Sequence, residues 1–181
     1  MKVKIIMIAL MVMFQLTQAQ KLISKNGHVW FYSQTPMENI EGHNHQVVSI
    51  LDPSTGDMQF SLLVKAFEFK VALMQEHFNE NYMESDKFPK ASFKGKITNL
   101  DKINFKKDGV YQAEVLGDLT IHNVTRPVTA RGSIEVRGTS VIARSKFVVT
   151  PHDYAIVIPS LVEEKIAKEI EVNVEATYTA N

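Results

Sequence analysis

The feature that most limits this chain is an alternation of apolar and polar residues with period two, recurring from Asn26 almost to the C-terminus. Tyr111, Ala113, Val115, Gly117, Leu119 and Ile121 fall on one face, and Gln112, Glu114, Asp118 and Thr120 on the other. Successive side chains leave a strand in opposite directions, so this pattern specifies a strand with one dry and one wet side. The same rhythm runs through residues 128–136, 141–149 and 170–178. Met58, Phe60, Leu62 and Val64 share a face behind Asp52-Pro53-Ser54-Thr55-Gly56-Asp57, whose Pro and Gly suit a hairpin connection. Residues 27–33, 41–51 and 91–100 complete eight predicted strands. Short turns at Lys107-Asp108-Gly109 and Arg137-Gly138-Thr139 predict antiparallel neighbours.

One segment breaks the rhythm. In residues 72–85, Leu73, Met74, His77, Phe78 and Met83 approach helical spacing, which predicts one short helix ending before Phe88-Pro89. Residues 160–168 read equally as a second helix or as a loop.

Eight strands with one dry face each close most economically into an antiparallel barrel, because closure removes unpaired edges; a two-sheet sandwich is the alternative. The inward residues Ala113, Gly117, Ala130, Gly132, Ala143, Ser145 and Ala176 are small for such an interior. An eight-stranded lumen is either just filled by side chains or able to hold one ligand, and these residues favour the ligand. The competing expectation is that Phe and Met from other strands fill the gap.

The N-terminus carries an address. Lys2 and Lys4 precede an apolar run over residues 5–14, and Thr17-Gln18-Ala19 offers small residues for cleavage. This is the pattern of a secretory signal peptide, and the run is half the length of a membrane span. The expected organisation is a signal peptide at 1–19 and one exported, soluble domain at 20–181 with no membrane span. Without Lys2 and Lys4 the 20 basic residues become 18 against 20 acidic ones, a balance that argues against nucleic acid. The absence of cysteine excludes disulfides, a lipidated cysteine anchor, a thiol nucleophile and thiolate metal ligands.

Candidate residues follow from chemistry. Phe60, Leu62, Phe67, Phe69, Met74, Phe78, Phe88 and Phe93 offer large, adaptable apolar surface for a tunnel wall, and Val115 and Leu119 join them from the dry face of their strand. Ordinary core packing is the competing role for each. His43 and His45 are two apart on a strand and so share a face; with a third ligand from His28, His122 or His152 they would suit zinc or copper. Solvated histidines are the simpler expectation, and no metal or other cofactor is assigned. Neither a G-x-S-x-G elbow nor a His-Glu-x-x-His helix is present. Asp86-Lys87 and His152-Asp153 are sequence neighbours, which point apart on a strand. No catalytic residue is expected, and the chain reads as a non-enzyme.

Two stretches carry a resemblance. His77-Phe78 followed by Tyr82-Met83-Glu84-Ser85-Asp86-Lys87-Phe88-Pro89-Lys90-Ala91-Ser92-Phe93, and Gly117-Asp118-Leu119-Thr120-Ile121-His122-Asn123-Val124-Thr125-Arg126-Pro127-Val128, resemble the two hallmark segments of the YceI-like family. The likeness extends over the mature chain in strand order and spacing. It implies an eight-stranded, lipocalin-like barrel in the periplasm whose lumen binds a long apolar molecule such as a polyisoprenoid, another lipid or a fatty amide. The chain departs from the family pattern at Gln75–Asn81, where an Arg-Asp-x-His-Leu-type run is frequent, and at Asn123, where Gly is usual. No head-group contacts are carried over. Thr120 and Thr125 are expected to bond backbone around the turn, with Pro127 opening the next strand. Monomer and homodimer are both left open.

Overall fold

The computed structural model describes residues 20–179; the leader expected at 1–19 lies outside them. Eight strands close into an antiparallel barrel in sequence order: β1 (Leu22–Gln34), β2 (Asn39–Leu51), β3 (Asp57–Leu63), β4 (Lys90–Ile97), β5 (Gly109–Ile121), β6 (Val124–Arg137), β7 (Ser140–Val149) and β8 (Ile170–Thr179). β8 pairs back onto β1, with Phe31 opposite Val172. Among the described residues, the one short α-helix, α1 (Ala72–His77), lies between β3 and β4.

Up-and-down order sends alternate connections to opposite ends. Compact links between β2 and β3 and between β6 and β7, with the longer link between β4 and β5, gather at one end. The other end receives the β1–β2 and β5–β6 turns together with two long connections, between β3 and β4 and between β7 and β8. This second end is the mouth.

The closed end is packed solid. Leu22, Leu51, Met58, Ile97, Ile103, Ile134, Val136, Val141 and Tyr178 form one buried cluster, with Phe93, Leu100, Phe105 and Tyr111 against it. Each fully buried aliphatic side chain there contributes about 1.5–3 kcal/mol. The Tyr178 hydroxyl lies 2.5 Å from the Ser49 hydroxyl, and burial pushes its phenol up to about 12.

β1 begins well before the point the alternation predicts, because two bulges, one in β1 and one in β2, shift its phase. In β1, Leu22 and Ser24 point inward, Lys25 and Asn26 are both exposed, and Gly27, Val29 and Ser33 are again inward. In β2, Gly42 and Asn44 are buried, His45 and Gln46 both exposed, and Val47, Ser49 and Leu51 buried. The register breaks at the same places, between Ser24 and Gly27 and between Gly27 and Val29. An extra residue in one strand of a pair switches the faces in this way.

The predicted helix is partly replaced. α1 gives way at Phe78 to a π-helical turn through Tyr82, where the Met83 amide donates to the Phe78 carbonyl. The Asn79 side-chain amide donates to the Gln75 carbonyl at the junction of the two helical turns. Residues 160–165 form a 3₁₀ turn. At the β5–β6 hairpin, His122 and Asn123 both adopt positive φ (51° and 60°), the geometry of a two-residue primed turn. Thr120 and Thr125 bond each other across it at 2.8 Å rather than the backbone. Pro127 stands inside β6, not at its start; β6 pairs with β7 only from Arg131 onward, so the missing amide breaks no bond on that side.

Candidate functional site

Between the packed floor and the mouth lies an apolar cavity of about 610 Å³. Met58, Ala113, Ile134 and Ala143 form its floor, and Ala130, Gly132, Ser145, Phe147, Val172 and Val174 contribute to its wall. Of the expected ligand residues, Phe60, Leu62, Phe67, Phe69, Met74, Phe78, Phe93, Val115 and Leu119 line it. Phe88 does not; its ring stands edge-on to His122 with centroids 4.3 Å apart.

The small inward residues do not all make room. At Gly117 an added Cβ would lie 2.5 Å from the Lys94 carbonyl oxygen and 2.6 Å from the Phe93 ring, so that glycine admits a side chain of the protein itself. Ala176 belongs to the closed-end cluster. Ala113, Ala130, Ala143 and Ser145 do face the cavity; Gly132 also lines it, but a Cβ there would clash with the Arg144 carbonyl oxygen, so that glycine admits the backbone of β7.

Near the mouth the wall is aromatic. Phe31, Phe67, Phe69 and Phe78 form one cluster, with Phe78 centred 5.5, 5.4 and 5.0 Å from Phe31, Phe67 and Phe69. Three separate pieces of chain deliver these rings. Phe67 and Phe69 flank Glu68, which bridges to His43 of β2 through two backbone hydrogen bonds of 2.7 and 3.0 Å. That bridge lays the segment along β2 beyond the end of β3. Gly42 permits the approach, because a Cβ there would meet both the Phe31 and Phe69 rings at 2.9 Å or less. Phe31 was absent from the residues expected at the site, although the inward parity of Val29 and Ser33 would have found it. Ile156, Ile158 and Val162, from the β7–β8 connection, also face the cavity and carry no periodic signal.

The polar lining is sparse and includes Glu38, His77, Tyr82 and Lys165. Lys165 Nζ is 3.9 Å from Glu38, and burial, then the Glu38 charge, raises the Tyr82 phenol above its ordinary value.

His122 fastens the mouth. Its Nδ1–H donates to the Tyr154 carbonyl at 3.2 Å, and Nε2 lies 3.0 Å from the Glu84 carboxylate. Only 8% exposed, it joins the β5–β6 turn to both long connections. The His122 contact, the largest cause, holds the Glu84 carboxyl below the usual range.

Of the three candidates for a third histidine beside His43 and His45, the structure selects His28. His122 is engaged in the clamp, and His152 sits in the turn Pro151–Tyr154. His28 Nε2 is 3.0 Å from His43 Nδ1, and the His28 and His45 rings stack with centroids 4.1 Å apart. Burial, then the neighbouring His45 and His43, lowers the His28 pKa.

The sequence profile of the YceI-like domain matches residues 16–178. The chain belongs to the YceI-like family. Solved structures agree on the fold. A polyisoprenoid binding domain from Saccharophagus degradans, implicated in plant cell wall breakdown, superposes with a TM-score of 0.76 at 11% identity, covering 89% of this chain and 98% of that one. BcnA of Burkholderia cenocepacia gives 0.71 at 16% identity, with 84% and 96% covered. The YCEI protein of Campylobacter jejuni gives 0.63 at 12% identity, with 82% and 89% covered. No protein of curated function matches this chain. In this YceI-like chain, the two hallmark segments meet at the mouth, where Glu84 and Phe88 of the first enclose His122 of the second.

Proposed function

We propose that this protein is a periplasmic carrier that holds one long apolar molecule, of the polyisoprenoid or lipid class, in its lumen. The observation that supports this reading is the cavity itself: about 610 Å³, walled by aliphatic and aromatic side chains and reached through a mouth made of long connections. Ligand pockets are commonly of this size, mostly apolar, with a few polar groups that fix orientation. A guest burying about 300 Å² of apolar surface would gain roughly 7 kcal/mol before association costs. A chain-like guest suits a lumen extending from a packed floor to one end, with its polar terminus near Glu38, Tyr82 and Lys165. The binding named for the Saccharophagus domain is consistent with this class of ligand. The periplasmic address rests on the leader pattern at Lys2, Lys4 and residues 5–14. The role is binding rather than catalysis.

Solvent extraction of natively purified protein, followed by mass spectrometry, tests the reading. An apolar chain-like molecule near one equivalent is expected. Absence of any such molecule, together with no uptake of a hydrophobic dye, would contradict it.

A further inference from the structure

On the outer face of the barrel, away from the lumen, His28, His43 and His45 each offer a ring nitrogen, and these nitrogens all lie within 4.8 Å of one another. We propose that this histidine triad is a binding site for a first-row dication that favours imidazole, Zn²⁺ or Cu²⁺.

The fold assembles the triad by the second bulge. Gly27 pairs with Val47 and Val29 with Asn44, so His28 alone stands opposite both His45 and Gln46. The extra residue brings His45 beside His28, while His43, two residues earlier on the same face, stands opposite Trp30. Bulges commonly re-aim a side chain in this manner. His28 and His43 are half-buried and His45 is exposed, which leaves the assembled group accessible to an ion.

The hydrogen bonding prepares the donor atoms. His43 Nε2 is 2.7 Å from Glu41 Oε1, which can only accept when ionised, so the proton of a neutral ring resides on Nε2. The lone pair of Nδ1 is then directed at His28. A carboxylate on the remote nitrogen of a ligating histidine fixes its tautomer and orientation and raises its basicity. Lys70 Nζ, 3.7 Å from the other Glu41 oxygen, holds that carboxylate from outside. One distance is already close to that of a bound ion, and the proton that His28 Nε2 donates to His43 Nδ1 is the one the ion would displace. Two imidazole nitrogens on a tetrahedral zinc are about 3.3 Å apart, given Zn–N bonds of about 2.0–2.1 Å, and His28 Nε2 and His43 Nδ1 are 3.0 Å apart. Rotation of the exposed His45 ring supplies the third bond. Three protein ligands on an accessible face leave a fourth position for water, the arrangement of an open site rather than a closed structural one.

Trp30, the one tryptophan of the chain, stacks on His28 with centroids 4.3 Å apart and so reports on the site. Tag-free protein is stripped with chelator and titrated with Cu²⁺ while Trp30 fluorescence is followed, then treated with excess chelator. Saturable quenching at one equivalent, reversed by the chelator, is expected. His45→Ala should weaken it at least tenfold without changing circular dichroism or lumen-dye uptake, since that side chain is exposed and outside the lumen. Glu41→Gln should weaken it about 10–100-fold, the usual effect of removing such a supporting carboxylate. His77→Ala and His152→Ala should leave it unchanged. Absence of saturable quenching, or quenching that survives His45→Ala or disappears with His152→Ala, would overturn the proposal.

Discussion

The two ends of this barrel are built from the same strands and do opposite things. At the closed end, inward residues such as Leu51, Ile97, Ile134 and Tyr178 interdigitate and exclude solvent almost completely. Toward the mouth, the same inward rows carry Ala130, Ser145 and Val174, and the space between them stays open. The difference lies in side-chain volume along each strand and in the connections. The links at the closed end contribute Leu100, Ile103 and Phe105 to the plug. The mouth links instead bring Phe67, Phe69 and Phe78 together as one aromatic cluster in the cavity wall. A barrel can therefore place its stability at one end and its binding surface at the other.

Truncation should separate the two most sharply. Leu51→Ala, fully buried beside Tyr178, is expected to cost about 2–5 kcal/mol in chemical denaturation. Its probe affinity should change little in the surviving folded fraction. Filling the lumen should produce the reverse. Ser145→Phe and Val172→Phe place rings in the cavity wall, and each is expected to lower the affinity for an apolar fluorescent probe at least tenfold, about 1.4 kcal/mol, with a smaller change in stability. Comparable stability losses at both ends would break the distinction.

The clamp at the mouth gives a third, smaller effect. His122→Ala removes bonds to Glu84 and the Tyr154 carbonyl, and a loss of about 1–1.5 kcal/mol is expected. Hydrogen exchange should accelerate in residues 78–88 and 151–155 while the closed end keeps its protection. The smallest effect belongs to the plug. Tyr178→Phe loses the hydroxyl contact with Ser49, at about 1 kcal/mol. The same phenol sets an alkaline limit. Its value is raised from 10.0 to about 12 in the folded chain, so its contribution is intact below pH 10 and is lost as pH rises from there through 12. Tyr178→Phe should flatten that decline.

Much of the closed barrel is legible in the sequence because the inward rows of β5 to β8 keep one phase, even where Leu116 and Val148 place apolar side chains outside. The alternation fails at Lys25-Asn26 and at His45-Gln46, where bulges place two consecutive residues outside; that is why β1 begins five residues earlier than the pattern predicts. The helix was legible as a break in rhythm, but the π-helical turn at Phe78–Tyr82, with the Asn79 side-chain amide on the Gln75 carbonyl, leaves no mark in the apolar spacing. At the site, strand residues such as Leu62, Phe93 and Leu119 follow from parity. Phe88 misled because apolar character alone does not distinguish a lumen wall from packing against His122. Ile156, Ile158 and Val162 were invisible because they lie in a connection without a period. The two histidines on β2 were legible as a pair. Their third member was not, since it depends on the bulge that brings His28 beside His45.

The central question is whether an apolar chain occupies the lumen. A fluorescent long-chain probe, titrated into the delipidated parent and into Ser145→Phe, measures this. The prediction is one saturable site with blue-shifted emission in the parent and its loss in the filled variant, with both proteins equally folded. Equal binding by the two, or none by the parent, would contradict it.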